Sequence, residues 1–104
     1  MKNLKDIFDL VMSSPTIMRL DKEILIFKNL MSLNEEHLLK EQELLYKVLD
    51  RLYESHIQAY MEVNDENKQM VYEFADWLGK LALKKEMKDT DFLIALSKHF
   101  ETTV

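Results

Sequence analysis

The sequence predicts an all-α protein, a compact bundle of four to five helices with one long central helix over about residues 33–63. A single Gly and a single Pro in 104 residues leave almost no turn residues from which to build β-hairpins. The chain is instead rich in Leu, Lys, Glu and Met, which favour helices over strands. Apolar residues also recur at helical spacing in several segments. We therefore expect one helical domain spanning residues 1–104.

The first third of the chain predicts a short helix, a turn and a second helical segment. Asn3 is a candidate N-cap for the first helix, and Ser13-Ser14-Pro15 ends it. Ser14 followed by Pro15 is typical of a helix start, and Asp21 is an alternative start for the same segment. The sequence therefore leaves open whether residues 16–31 form one helix or two.

The long helix is predicted from its start signal and from its lack of helix breakers. Ser32 and Glu35 form the S-x-x-E pattern of a capping box. Leucines then recur every seven residues, with His56 near the middle of the face that they define. This face is wider than the seam of a two-stranded coiled coil, so burial between several helices is favoured.

The last third predicts two more helices. Asn64-Asp65 marks a turn or a bend, and either residue is a candidate cap for the helix that follows. Asp89 or Thr90 is a candidate cap for a last short helix, and residues 101–104 are expected to fray. The apolar residues assigned to the inner faces of these helices are Met70, Val71, Phe74, Trp77, Leu78 and Leu81, then Phe92, Leu93, Leu96 and Phe100.

Composition excludes several classes of function. A formal net charge of −5 disfavours nucleic acid as a partner, because phosphate backbones repel an acidic chain. The absence of cysteine excludes disulfides and thiolate chemistry. The amino terminus lacks the apolar core of a signal peptide, and no run is long enough for a membrane span. A cytoplasmic protein with no membrane association, no metal and no cofactor is therefore expected.

Three tyrosines at seven-residue intervals, Tyr46, Tyr53 and Tyr60, form a line along one margin of the long helix. One interpretation places their rings at the core edge with the hydroxyls in water. The other makes them a partner-binding ridge, since tyrosine is enriched at binding hot spots. Both interpretations remain open on the sequence alone.

Two further residues of the long helix bear on catalysis. Arg51 and His56 match the short Arg-x4-His pattern of HEPN-type ribonucleases, so the chain resembles those small helical dimers at two residues. The resemblance implies RNA cleavage by this pair. In one continuous helix, however, the two side chains point about 140° apart. His56 is alternatively a neutral core residue bonded to a carboxylate or a backbone carbonyl, whereas His37 and His99 are expected to be exposed.

The function favoured by the sequence is a small, acidic, non-enzymatic module that binds another protein. It would act as a regulator, adaptor or inhibitor of phage or bacterial origin, with an acidic surface that attracts a basic one. One alternative is a structural homodimer that buries the long helix against its copy. A second is the HEPN-like ribonuclease.

Overall fold

The computed structural model describes residues 3–103, and within that range it consists of helices and connecting turns without a β-strand. The all-α class is therefore confirmed. A 3₁₀ turn, Tyr60–Glu62, follows the fourth of six α-helices. The helices are α1 (Leu4–Ser13), α2 (Leu20–Met31), α3 (Glu35–Lys40), α4 (Gln42–Ala59), α5 (Lys68–Ala82) and α6 (Thr90–Thr102). No helix in the described range has both the length and the apolar character needed to cross a membrane.

Aromatic rings from three helices form the centre of the core. Phe27 of α2 stacks on Phe74 of α5 with ring centroids 4.1 Å apart. Phe100 of α6 meets both rings edge-on, at 5.4 Å and 5.3 Å. Edge-on and stacked pairs of this kind add to the stabilisation that comes from burying the rings. This aromatic contact joins α2, α5 and α6 into one packed unit.

The prediction of one uninterrupted helix over residues 33–63 is wrong, because the helix breaks at Glu41. The φ and ψ angles of Glu41 are −110° and 39°, outside the helical range, and they separate α3 from α4. Gln42 compensates for the break, since its amide nitrogen donates to the carbonyl oxygens of Leu39 at 3.0 Å and Glu86 at 2.8 Å. The break is therefore held by a contact with a distant segment of the chain.

The predicted capping box at Ser32 and Glu35 is also wrong. Ser32 ends α2, where its hydroxyl donates to the Asn29 carbonyl at 2.8 Å. The N-cap of α3 is Asn34, whose side-chain oxygen accepts from the Glu36 amide at 2.8 Å. An Asn side chain fills the cap position as well as Ser does, so the cap of the short α3 lies two residues after Ser32.

Two other boundaries differ from the expected ones, and a third agrees. Ser14 and Pro15 do not start a helix, since α2 begins at Leu20 as one helix after an irregular segment. The break at Asn64 is a turn, in which the Asn64 side chain accepts from the Glu66 and Asn67 amides, and α5 begins only at Lys68. The expected cap at Asn3 is confirmed by its bond to the Asp6 amide at 2.9 Å.

The carboxyl-terminal residues are more ordered than expected within the described range. Helix α6 continues to Thr102, and the Thr103 side chain bonds to His56. The prediction that residues 101–103 fray is therefore wrong, because a side chain of the core holds the end of the helix. The remaining residue of that prediction, Val104, lies outside the described residues.

Candidate protein-binding surface and buried polar cluster

Five residues on the outer side of α4 and of the 3₁₀ turn that follows it form what we call the surface stripe. The steps between them alternate between four and three residues, the spacing by which one helix packs against another. At about 100° per residue they lie within an arc of about 80°. The residues of the surface stripe are Tyr46, Asp50, Tyr53, Ile57 and Tyr60.

The three predicted tyrosines all lie on this stripe, but their surroundings differ. Tyr46 is half-buried; its hydroxyl donates to the Lys88 carbonyl and its ring centroid lies 5.7 Å from that of Phe92. Burial, followed by the negative charge of Asp89, raises the pKa of Tyr46 to about 12. Tyr53 and Tyr60 remain 37% and 44% exposed. The structure thus gives Tyr46 a packing role, while the other two present their rings to solvent.

The sequence reasoning missed the two residues between the tyrosines. Ile57 is 44% exposed, and Asp50 is exposed as well. Both residues lie between the tyrosines at alternate steps of four and three residues. A search for helical spacing among the tyrosines could therefore have identified them. The stripe therefore combines apolar surface with one carboxylate near its middle.

Two ring contacts join the stripe to α6. Tyr46 contacts Phe92, and Tyr53 contacts His99 with ring centroids 4.7 Å apart, so the two helices run in the same direction. Beside Tyr46 lies a cavity of about 700 Å³. Tyr46, Asp50 and Phe92 line the cavity together with the apolar side chain of Leu39. The cavity and the stripe therefore form one continuous surface.

Side chains of both charges lie on this side of α4. Glu43, Asp50 and Glu54 are exposed, and among residues 3–103 none of them forms an ion pair. The cavity beside Tyr46 is also lined by three basic side chains, Lys40, Lys47 and Lys88. Unpaired exposed carboxylates are well solvated in the free protein and remain available for a cationic group.

Behind the stripe, the core contains a polar cluster of Glu23, Ser55, His56 and Thr103. Glu23 of α2 and His56 of α4 are both 0% exposed. The Glu23 carboxylate lies 3.0 Å from His56 Nδ1 through one oxygen and 2.8 Å from the Ser55 hydroxyl through the other. His56 Nε2 lies 2.7 Å from the Thr103 hydroxyl. The expectation that His56 is a hydrogen-bonded core residue facing a carboxylate is confirmed.

The cluster also holds the irregular segment before α2. Ser55 accepts a hydrogen bond from the Met18 amide at 2.9 Å while it donates to Glu23. Each buried polar side chain of the cluster thus has a partner, as burial requires. A signal for Glu23 was present in the sequence, because it follows Leu20 by three residues and precedes Phe27 by four, on the apolar side of α2.

The Thr103 hydroxyl, the His56 imidazole and the Glu23 carboxylate stand in the order of a nucleophile, a base and its orienting group. Sequence spacing did not reveal this arrangement. Their surroundings favour a structural role. Glu23, Ser55 and His56 are buried, and neither they nor Thr103 line the cavity beside Tyr46 and Asp50. The Thr103 hydroxyl also lies 3.0 Å from the Phe100 carbonyl, a second partner within its own helix.

His99 is not exposed as expected but half-buried beside this cluster. Its ring lies 5.7 Å from that of His56 and meets Tyr53 on the other side. Its Nε2 atom is buried and has no hydrogen-bond partner among residues 3–103. Burial, and secondly the electrostatic effect of the neighbouring His56, lowers the pKa of His99. His99 thus connects the buried cluster to the surface stripe.

The structure does not bring Arg51 and His56 to a common site. The Arg51 guanidinium donates to the Ser14 carbonyl at 3.0 Å and approaches the Val11 carbonyl at 3.5 Å. A positive charge at these carbonyls favours the C-terminal end of α1. His56 is instead bonded to Glu23 and Thr103. Each residue of the HEPN-like pattern is therefore engaged in a different packing contact.

Within residues 3–103, no group of three or more carboxylate and imidazole side chains is arranged to hold a metal ion. Comparisons of the chain with protein-family models, with curated proteins and with solved structures give no significant match. The function must therefore be argued from the surface and the core of this chain.

Proposed function

We propose that this protein is a non-enzymatic module that binds another protein through the surface stripe of α4. It would act as a regulator, adaptor or inhibitor. The observation that carries the proposal is the exposure of Tyr53, Ile57 and Tyr60 on one side of α4 and its following 3₁₀ turn, at the spacing used for packing against another helix. Clustered aromatic and aliphatic side chains at the surface are typical of binding sites.

The proposal is also supported by the contacts that the potentially catalytic side chains make inside the fold. The side chains with catalytic potential, Arg51, His56 and Glu23, are engaged with partners inside the fold. The apolar stripe, by contrast, contributes little to the core, because Leu45, Leu49 and Leu52 of the same helix already fill it. Its exposure is therefore better explained by an external partner than by the stability of the fold.

The experiment that tests the proposal is affinity capture from a lysate of the encoding organism, with Ile57→Asp compared to wild type. Ile94→Asp is the matched control, since Ile94 is 41% exposed on α6 and Ile57 is 44% exposed on α4. By helical rotation Ile94 lies about 200° from Phe92, on the side of α6 away from α4. Circular dichroism checks that both variants fold.

We expect wild type and Ile94→Asp to capture the same protein, and Ile57→Asp to capture it at least about tenfold less, because a carboxylate in an apolar contact must be desolvated. The proposal is contradicted if every captured protein is retained by Ile57→Asp, or if the two variants lose the same proteins equally.

A further inference from the structure

We infer that protonation of His99 moves its imidazole ring out of contact with Tyr53 and His56, so that the surface stripe has a closed form and an acid form. The closed form is the one described above. The inference adds a means of regulation to the surface stripe, and in that respect it rests on the proposed function. Three features of His99 support it: the surroundings of one ring nitrogen, the charged groups nearby and the freedom of the side chain to move.

The buried ring nitrogen of His99 suits a neutral ring and not a charged one. Its Nε2 atom is buried and has no hydrogen-bond partner among residues 3–103. A neutral imidazole carries a hydrogen on one nitrogen only, whereas an imidazolium carries one on each. Protonation therefore makes Nε2 a donor that shares a positive charge, and the closed form offers it no acceptor. Burying such a donor is costly.

The helices packed on this side of His99 do not supply a compensating negative charge. On α4 the ring meets Tyr53 and His56, and the nearest carboxylate of the surface stripe, Asp50, lies one turn before Tyr53. The Glu23 carboxylate of α2 lies behind His56, and both of its oxygens are bonded within the polar cluster. The neighbouring ionisable ring, His56, acts in the same direction as burial and lowers the pKa of His99.

The charged groups of α6 itself and of α5 are turned away from the ring. By helical rotation Lys98 and Glu101 lie about 100° and 200° from His99. Helix α5 packs on the far side of α6, since Ser97, also about 200° from His99, donates to the Ala75 carbonyl at 2.6 Å. The ionisable side chains near that contact are Tyr72, Asp76, Lys80 and Glu101. The α6 side chains three or four positions from His99 are uncharged: Ala95, Leu96, Thr102 and Thr103.

The ring can leave this position while the backbone of α6 stays in place. His99 is half-buried, so part of its side chain already reaches solvent. A side chain on a helix has two common χ1 rotamers, and a change between them swings the ring by about 120°. The next residue, Phe100, is fully buried against Phe27 and Phe74 and holds the helix. In water the charged ring finds acceptors for both nitrogens.

The surface stripe changes at the point that His99 leaves. In the closed form the Tyr53 and His99 rings meet edge-on, an arrangement that orders Tyr53. In the acid form Tyr53 loses this neighbour, and a gap opens beside it. Because the pKa of His99 is below its ordinary value of 6.5 in the closed form and returns towards that value in water, the acid form gains as the pH falls below 6.5. A partner on the stripe therefore meets an ordered Tyr53 only at higher pH.

Nuclear Overhauser effects in the free, full-length protein test the inference between about pH 7.5 and about pH 4.5. We expect a cross-peak between the Tyr53 and His99 rings at the higher pH. It should weaken at least about threefold in step with the titration of the His99 ring, as the acid form becomes populated. The cross-peak between Phe74 and Phe100, whose ring centroids lie 5.3 Å apart, should remain.

Two substitutions assign the effect to His99. In His99→Gln the side chain stays neutral, so the ring shifts of Tyr53 should lose the pH dependence that they have in wild type. His37→Gln on α3 is the matched control and should keep that dependence. Tyr72 is 42% exposed on α5, close to the 37% of Tyr53, and its ring shifts should not follow the His99 titration in any of the proteins.

The inference is overturned if the His99 ring takes up a proton while the cross-peak to Tyr53 is unchanged, or if the ring stays neutral down to about pH 4.5. Loss of the cross-peak between Phe74 and Phe100 at the same pH would also overturn it, because the protein would then be unfolding. So would an unchanged titration of Tyr53 in His99→Gln. If that variant does not fold, the wild-type cross-peaks decide alone. The proposed function is judged separately, by the capture experiment with Ile57→Asp.

Discussion

At the scale of single residues, burial changes the chemistry of side chains whose type alone is uninformative. Of the three histidines, His56 is enclosed in the core, and His99 is half-buried with one ring nitrogen lacking a partner among residues 3–103. The sequence located His56 correctly because it falls among the leucines of α4. It misplaced His99, because the burial of that ring depends on Tyr53 and His56, which belong to another helix.

His99 gives a prediction about pH. Its pKa in the folded protein is lowered by burial and by His56 from an ordinary value of 6.5. A base with a lowered pKa binds fewer protons in the folded state than in the unfolded one. Its contribution to stability is therefore complete well above pH 6.5 and is lost as the pH falls through that value towards the lower folded pKa.

Urea unfolding at about pH 7.5 and about pH 5.5 measures this effect. We expect the free energy of unfolding of wild type to fall more between the two pH values than that of His99→Gln, which cannot take up the proton. An equal fall in both proteins would show that the ring accepts a proton in the folded state without cost.

At the scale of the elements, most of the helices followed from composition and spacing, but several of their ends and the separation of α3 from α4 did not. Local signals such as Asn3 predicted a cap correctly where the competing residues were few. At residues 32–35 two candidate caps stood close together, and Asn34 rather than Ser32 occupies the position. The break at Glu41 has no local signal, because Gln42 holds it through the carbonyl of Glu86.

Gln42 therefore has a testable role in the join between α3 and α4. Besides its two donated bonds, its side-chain oxygen accepts from the Lys88 amide at 2.8 Å. Replacement by Ala removes three hydrogen bonds, two of which bind the segment before α6 to the break and one of which bonds to Leu39 of α3. We expect Gln42→Ala to lower the free energy of unfolding by about 1–3 kcal/mol.

The same variant should speed hydrogen exchange at the Lys88 amide, which loses its acceptor. Gln69→Ala serves as the control, since Gln69 is exposed on α5, and it should change stability by less than about 0.5 kcal/mol. Unchanged exchange at Lys88 in Gln42→Ala would show that another group protects this amide.

At the scale of the whole molecule, the buried polar cluster joins parts of the chain that are distant in sequence. Through Glu23, Ser55, His56 and Thr103 it connects α2, the segment before it, α4 and the end of α6. The aromatic core joins α2, α5 and α6 without directional bonds. The polar cluster adds directional contacts, which fix how α4 sits against α2 and α6.

Glu23→Ala tests that role. It leaves the His56 imidazole and the Ser55 hydroxyl buried without their acceptor, and it opens a space in a fully buried site. We expect a loss of about 3–5 kcal/mol in the free energy of unfolding, as is typical when one partner of a buried pair is removed. Chemical denaturation measures the loss, and Glu73→Ala on the exposed side of α5 should change little.

A loss below about 1 kcal/mol in Glu23→Ala would show that water or a rearranged side chain replaces the carboxylate. Capture experiments with the same variant would show whether the alignment of α4 against α6 also matters for the surface stripe.

The sequence by itself determined the helical class, the apolar faces and the line of tyrosines, because these depend on residue type and on a spacing that local backbone geometry fixes. Only the tertiary structure decided that α4 is separated from α3, that Glu23 and Thr103 meet His56, and that Tyr46 is packed while Tyr53 and Tyr60 are open. Those properties depend on contacts between residues 30 or more positions apart, such as Glu23 with His56. The physical reason is that burial belongs to the arrangement of several helices, whereas spacing belongs to one.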